Sequence, residues 1–116
     1  MPTADAFLDV VARLISGQLA NLHAPAERSQ HWVVILDPLG EAVATIDGGE
    51  LPPHEVLSSL VDKGADAAAY VTYVPGPPEY VLTQLALTDP PNSDLRRSRV
   101  ERDAVSVRLG PWEYTV

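Results

Sequence analysis

The side chains best suited to chemistry in this sequence are arginines that lie close together near the C-terminus. Arg96, Arg97 and Arg99 fall within four residues, and Arg102 follows shortly after. Alternate residues of an extended strand face opposite sides, so Arg97 and Arg99 would share one face and Arg96 and Arg102 the other. Such a row can bind phosphate or carboxylate groups through paired hydrogen bonds. It can also protect an exposed sheet edge or pair with neighbouring acidic residues, and both interpretations stay open.

The histidines predict no metal site and no catalytic dyad. His23, His31 and His54 do not stand at metal-ligand spacing from one another. His54 begins a pattern like the zinc-protease helix motif, which needs a second histidine one turn later, where this chain has Ser58. His54 and Ser58 could act as base and nucleophile, but no glycine-flanked nucleophile turn accompanies them. We therefore predict no catalytic residue, no metal and no cofactor.

Two other stretches permit chemistry, although a structural role explains each of them. Residues 47–50, Asp-Gly-Gly-Glu, could bind a cation or present backbone N–H groups to an anion. Their spacing fits neither a calcium loop nor a phosphate-binding glycine motif, so we predict a strand-to-helix turn. Pro2, which removal of Met1 would make N-terminal, resembles the proline base of tautomerases. That proline begins a strand, whereas Pro2 precedes a helix-capping Thr3, so we predict a helix start.

The charge of the chain is negative and unevenly distributed. The net charge is −8 at pH 7, which argues against nucleic-acid binding because phosphate contacts need concentrated Lys and Arg. Residues 1–95 include 13 acidic and 3 basic side chains, whereas residues 96–116 include 3 acidic and 5 basic ones. The C-terminal end is therefore the basic part of an acidic protein.

Length and composition predict one globular domain over residues 1–116. The chain is 46% hydrophobic and 21% charged, which is typical of such domains. It has no cysteine, which excludes disulfides and thiolate metal sites. The N-terminus has no signal-peptide pattern, and no window approaches about 18 consecutive apolar residues. We expect a soluble cytoplasmic protein without membrane contact.

A β-hairpin at residues 31–47 organises the expected fold. Asp37, Pro38 and Gly40 occupy the first, second and fourth places of a type I turn. The strand before the turn is apolar on both faces in its middle, which is typical of a strand in the centre of a sheet. The strand after the turn has one apolar and one partly polar face.

Two amphipathic helices are predicted on either side of this hairpin in the sequence. The first spans residues 3–22 and is capped by Thr3, with Gly17 either allowing close packing or marking an early end. The second runs from about Pro53 to Lys63, and Gly64 supplies a left-handed C-cap.

The remaining residues predict strands at 67–74, 79–88 and 95–109, and a short final strand after the break at Gly110 and Pro111. The element order is α-β-β-α-β-β-β, with room for one more strand. We predict an α+β fold in which a mainly antiparallel sheet of about five strands carries both helices on one face. This order resembles that of profilin-like and roadblock-type domains, and the resemblance implies topology rather than function.

The leading functional hypothesis is a non-catalytic protein–protein interaction or assembly module that forms a homo-oligomer. Aromatic residues dominate interface energetics, so the expected contacts combine the arginines with Tyr70, Tyr73, Tyr80, Trp112 and Tyr114. The alternative is a small-molecule binder or minor enzyme, in which Arg97 or Arg99 holds an anionic ligand in a pocket between the helices and the sheet.

A separate prediction concerns the position of the C-terminal strand relative to the sheet. Its first half is rich in arginine and poor in apolar residues before Val105, so we expect it to project beyond the sheet and meet an acidic surface. On this hypothesis, replacing Arg96, Arg97 and Arg99 together with Ser leaves the fold intact and weakens association.

Overall fold

The first helix of the protein is α1, Ala4–Ala20, and it begins where the sequence predicts. The computed structural model describes residues 3–21, 28–46, 59–76, 78–87 and 95–114. Thr3 is the N-cap, and its Oγ1 accepts a hydrogen bond from the Ala6 amide at 3.1 Å. The buried stripe of α1 consists of Phe7, Leu8, Val11, Ile15 and Leu19. Residue 22, the predicted end, lies outside the described residues, and Asn21 is the C-cap.

Gly17 neither ends α1 nor allows close packing, so both expectations for this residue were wrong. It is exposed in the interior of the helix, and a Cβ built on it would meet nothing within 4 Å. Glycine loses more backbone entropy than other residues when the helix forms, and no close packing compensates for that loss here.

Replacing Gly17 with Ala is therefore expected to raise the free energy of unfolding by about 1 kcal/mol, the difference in helix propensity between the two residues. Thermal or urea unfolding of the variant measures this change. The matched control is Gly64→Ala, because Gly64 has φ +116, a conformation that strains any residue with a Cβ. A loss of stability in the Gly17 variant would contradict the prediction.

The predicted hairpin is confirmed as β1, Gln30–Asp37, and β2, Gly40–Ile46. The Asp37 carboxylate accepts hydrogen bonds from the amides of Leu39 and Gly40, both at 2.8 Å. This capping by a short acidic side chain explains why the turn forms at this position.

In the described part of the chain the sheet has seven strands rather than about five, and all of their pairings are antiparallel. Its order is β2-β1-β3-β4-β5-β6, with β7 also paired to β5. As predicted, β1 is an interior strand. The other strands are β3, Ala67–Val74; β4, Tyr80–Leu87; β5, Leu95–Arg102; β6, Val107–Leu109; and β7, Glu113–Tyr114.

The predicted strand 95–109 is divided into β5 and β6 by a turn at Asp103. The Asp103 carboxylate accepts hydrogen bonds from the amides of Val105 at 2.9 Å and Ser106 at 2.8 Å. Val105 therefore lies exposed at the tip of a hairpin rather than within a continuous strand. The sequence signal was the same as at Asp37: an acidic residue that can cap two amides downstream.

The first half of β5 does not project beyond the sheet, which corrects that expectation. Arg96 is paired with Thr83 of β4 on one side and with Tyr114 of β7 on the other. The register of β5 shifts by one residue between β6 and β7, which marks a β-bulge at Gly110. Ser98 stabilises the bulge, because its Oγ donates a hydrogen bond to the Gly110 carbonyl at 2.7 Å.

The helices pack on opposite faces of the sheet, and the expectation that they share one face was wrong. Residues 59–62 form the end of a second helix, which Gly64 and Ala65 close by hydrogen bonds to the carbonyls of Val61 and Leu60. The face covered by α1 is buried with core residues that include Trp32, Val34, Ala69, Val71 and Leu85. Among the described residues, the opposite core includes Val61, Ala68, Tyr70 and Ala86.

Candidate functional site

The predicted arginine cluster is split between the two faces of β5. Arg97 and Arg99 are exposed on one face, whereas Arg96 is buried and Arg102 is half-buried on the other. The alternation that the sequence predicted is therefore present, but the four guanidinium groups do not converge on one site.

Arg96 has a structural role in the fold and does not belong to an exposed binding surface. Only 8% of it is exposed, and its guanidinium carbon lies 3.5 Å from the centroid of the Tyr114 ring. This is cation–π geometry, which is stronger for a desolvated cation. Tyr114, a predicted contact residue, thus covers Arg96 from β7, although 66% of its own surface stays exposed.

Arg102 forms the centre of a partly buried cluster with Glu79 and Tyr73. Its Nε lies 2.8 Å from Glu79 Oε1 and 2.9 Å from Oε2, and the Tyr73 hydroxyl donates to the same carboxylate. Tyr73 is fully buried, so it cannot contact a partner, which corrects the prediction that it is a contact residue. The cluster joins the β3–β4 turn to the end of β5.

Burial and hydrogen bonding both change the pKa values of the residues in this cluster. Burial and the hydrogen bond to Glu79 raise the pKa of Tyr73. Burial alone would raise the pKa of Glu79, but hydrogen bonds from Arg102 and Tyr73 outweigh it and lower that pKa. The hydrogen bond to Glu79 raises the pKa of Arg102 further. Glu79 and Arg102 are therefore an ion pair at neutral pH.

Arg97 and Arg99 line a hollow of about 190 Å³ together with Glu101, Pro111 and Glu113. Arg97 lies 3.7 Å from Glu113, between Nη2 and Oε2, and both side chains are largely exposed. Two carboxylates thus accompany two guanidinium groups, so the hollow has mixed rather than positive charge. None of its lining residues belongs to a helix, so it is not the predicted pocket between the helices and the sheet.

The remaining predicted aromatic residues lie apart from each other. Tyr80 is half-buried and opposes Arg99 in the β4–β5 register. Trp112 lines a groove of about 440 Å³ between α1 and the bulge, with Asp9, Ala12 and Arg108 among the other lining residues. Tyr70 is fully buried and stacks on His31, with ring centroids 5.7 Å apart. No shared aromatic patch forms.

The split cluster revises the predicted effect of removing the arginines. Arg96→Ser is expected to lower the free energy of unfolding by about 1–2 kcal/mol, since it removes the contact with Tyr114 and the packing of the buried stem. Arg97→Ser/Arg99→Ser is expected to change it by less than about 0.5 kcal/mol, as exposed substitutions usually do. Urea unfolding of the two variants tests this difference, and equal losses would contradict it.

The feature that sequence reasoning missed is the outer edge of β2. Along its seven residues, β2 pairs only with β1, and no described residue pairs with its other side. Glu41, Ala42, Ala44 and Thr45 are exposed, and Val43 is half-buried. The strand contains no lysine, proline or bulge, and Glu41 is its only charged residue, so few of the devices that usually protect an edge are present.

The opposite edge of the sheet is very different. It consists of the three-residue β6 and the two-residue β7, with the bulge between them. Short and bulged edge strands are poor templates for pairing with another chain. Of the two edges, β2 is therefore the better template for strand pairing, since no described residue covers it.

Comparisons with protein-family models, curated proteins and solved structures find no match to this chain. The resemblance to profilin-like and roadblock-type domains therefore stays a prediction from element order. Among the described residues, no group of three or more His, Asp or Glu side chains could hold a metal ion. No helix in that part of the chain is long and apolar enough to cross a membrane.

Proposed function

We propose that the protein is a non-catalytic interaction and assembly module that associates with itself in the cytoplasm. The observation that supports this function is the outer edge of β2, with which no described residue pairs. Along β2 the N–H and C=O groups of alternate residues point away from β1, and no described residue bonds to them, so they form a ready template for another strand. A docking strand satisfies those groups and extends the sheet without any change in the fold.

The side chains of β2 favour protein contact over solvation. Ala42 and Ala44 are small and exposed on one face, so a second backbone can approach without displacing them. On the other face Val43 packs against the core, and Arg13 of α1 pairs with Glu41. Glu41 is the only charged residue of the strand, so little charge has to be desolvated when the edge is covered.

Sedimentation velocity at protein concentrations from roughly 1 µM to 1 mM tests the proposal, because self-association with a Kd between these limits changes the measured mass. We expect mass to increase with concentration. Because each copy has a net charge of −8, added salt should screen repulsion and favour this backbone-driven association. A monomer throughout the range would overturn the proposal.

Val43→Pro tests the edge directly. Proline is tolerated on an edge strand where its N–H would face away from the sheet, so this variant should unfold cooperatively and remain monomeric. The matched control is Ala42→Pro, which removes an N–H that bonds to β1 and should disrupt the hairpin.

A second function, binding of a small anion, is favoured by one observation: Arg97 and Arg99 line the same hollow. The carboxylates of Glu101 and Glu113 oppose it, because they occupy positions that an anion would need. A rise in Tm with inorganic phosphate, lost in Arg97→Ser/Arg99→Ser, would support this second function. No change in Tm would leave the assembly function as the better account.

A further inference from the structure

We infer that β2 pairs antiparallel with β2 of a second copy, with the two-fold axis passing between their Val43 residues. This inference rests on the proposed function and adds to it the partner and the register. The paired strands would join two sheets into one continuous sheet, in a closed homodimer.

The hairpin turn determines which residues of β2 can bond outward. Its two-residue loop makes Asp37 and Gly40 a hydrogen-bonded pair, and such pairs alternate along an antiparallel ladder. Ala42 and Ala44 therefore bond to β1. Glu41, Val43 and Thr45 direct their N–H and C=O groups away from it.

A register centred on Val43 uses all of these groups. It pairs Val43 with Val43, and Glu41 of each copy with Thr45 of the other, which forms about six hydrogen bonds across the axis. A register centred on Ala42 or Ala44 leaves one end of β2 unpaired and forms fewer bonds. A register centred on Glu41 places two carboxylates opposite each other, which is destabilising.

The side chains agree with the same register. Opposite each Glu41 lies a threonine, which can donate to its carboxylate, and opposite each Ala42 lies Ala44, so neither face is crowded. Both copies use the same long edge, and their other edges are short and bulged. The contact is therefore isologous and stops at two copies.

Charge substitutions at Thr45 test the register. Thr45→Lys would place a cation opposite Glu41 of the second copy, and Thr45→Glu would place an anion there, twice in each dimer. At low salt we expect Thr45→Lys to lower the dimer Kd and Thr45→Glu to raise it, each by about 2- to 30-fold. Sedimentation equilibrium measures both constants.

The matched controls are Val105→Lys and Val105→Glu, which make the same changes in net charge at an exposed hairpin tip remote from β2. They should give nearly the parent Kd. A parent that dimerises while the Thr45 variants differ no more than the Val105 variants would overturn the register and leave the assembly function standing. A parent that stays monomeric would instead overturn the assembly function itself.

Discussion

Arg102→Leu is expected to lower the free energy of unfolding by about 2–3 kcal/mol, somewhat less than the roughly 3–5 kcal/mol for removing one partner of a fully buried ion pair, because this pair is only partly buried. The substitution leaves the Glu79 carboxylate, which is only 18% exposed, with the Tyr73 hydroxyl as its remaining side-chain partner in the cluster. Leucine also restores only part of the packing that the aliphatic stem of Arg102 provides. Urea unfolding at pH 7 measures the loss.

Tyr73→Phe is the matched control within the cluster, because it removes only the hydroxyl and keeps the ion pair. We expect it to cost about 1 kcal/mol, the usual net value of one hydrogen bond. If Arg102→Leu cost no more than this control, the ion pair would not contribute to stability as we argue.

The same cluster predicts how stability depends on acid. The pKa of Glu79 is lower in the folded protein than its ordinary value of 4.5, so the unfolded chain binds the proton more readily. The contribution of Glu79 is complete above that ordinary value and is lost as the pH falls below it, through the folded pKa. Glu79→Gln should therefore lose less stability than the parent between neutral and acid pH. A parallel pH dependence in the two proteins would contradict this assignment.

Ala68→Leu and Ala69→Leu are each expected to lower the free energy of unfolding by about 1–3 kcal/mol, occasionally more, because both overpack a filled core. The two residues are adjacent in β3, face opposite sides of the sheet and are both 0% exposed. Ala69 faces the core beneath α1, and Ala68 faces the core at residues 59–62.

The pair tests whether both faces of the sheet are covered. Ala20→Leu, at an exposed position of α1, is the control and should be nearly neutral. If Ala68→Leu were as well tolerated as this control, its face of β3 would be open and the two-sided arrangement would be wrong.

Local interactions explain which parts of the fold were predictable. The Thr3 cap, the Asp37 turn and the Gly64 cap each depend on a few neighbouring residues, and all three form as expected. The turn at Asp103 depends on the same chemistry as that at Asp37, but the alternating apolar residues around Val105 favoured an unbroken strand.

Long-range pairing explains what was missed. An apolar stripe on a helix does not specify which sheet face it covers, so the helices were placed on one face. The burial of both faces of β3 could have been predicted, because its sequence is a nearly continuous apolar run, which is typical of a strand covered on both faces. The alternation of the arginines was predicted, but their partners are distant in sequence: Glu79 comes from the β3–β4 turn and Tyr114 from β7. Likewise, β2 becomes an edge only because β3 takes the other side of β1.

Amide hydrogen exchange at low and high protein concentration tests the pairing of β2 most directly. We expect the amides of Glu41, Val43 and Thr45 to exchange slowly only at high concentration, because no described residue of the same chain bonds to them and the proposed second copy would do so. Those of Ala42 and Ala44 should be protected at both concentrations by β1. Exchange at Glu41, Val43 and Thr45 that does not change with concentration, while the protein associates, would contradict the account.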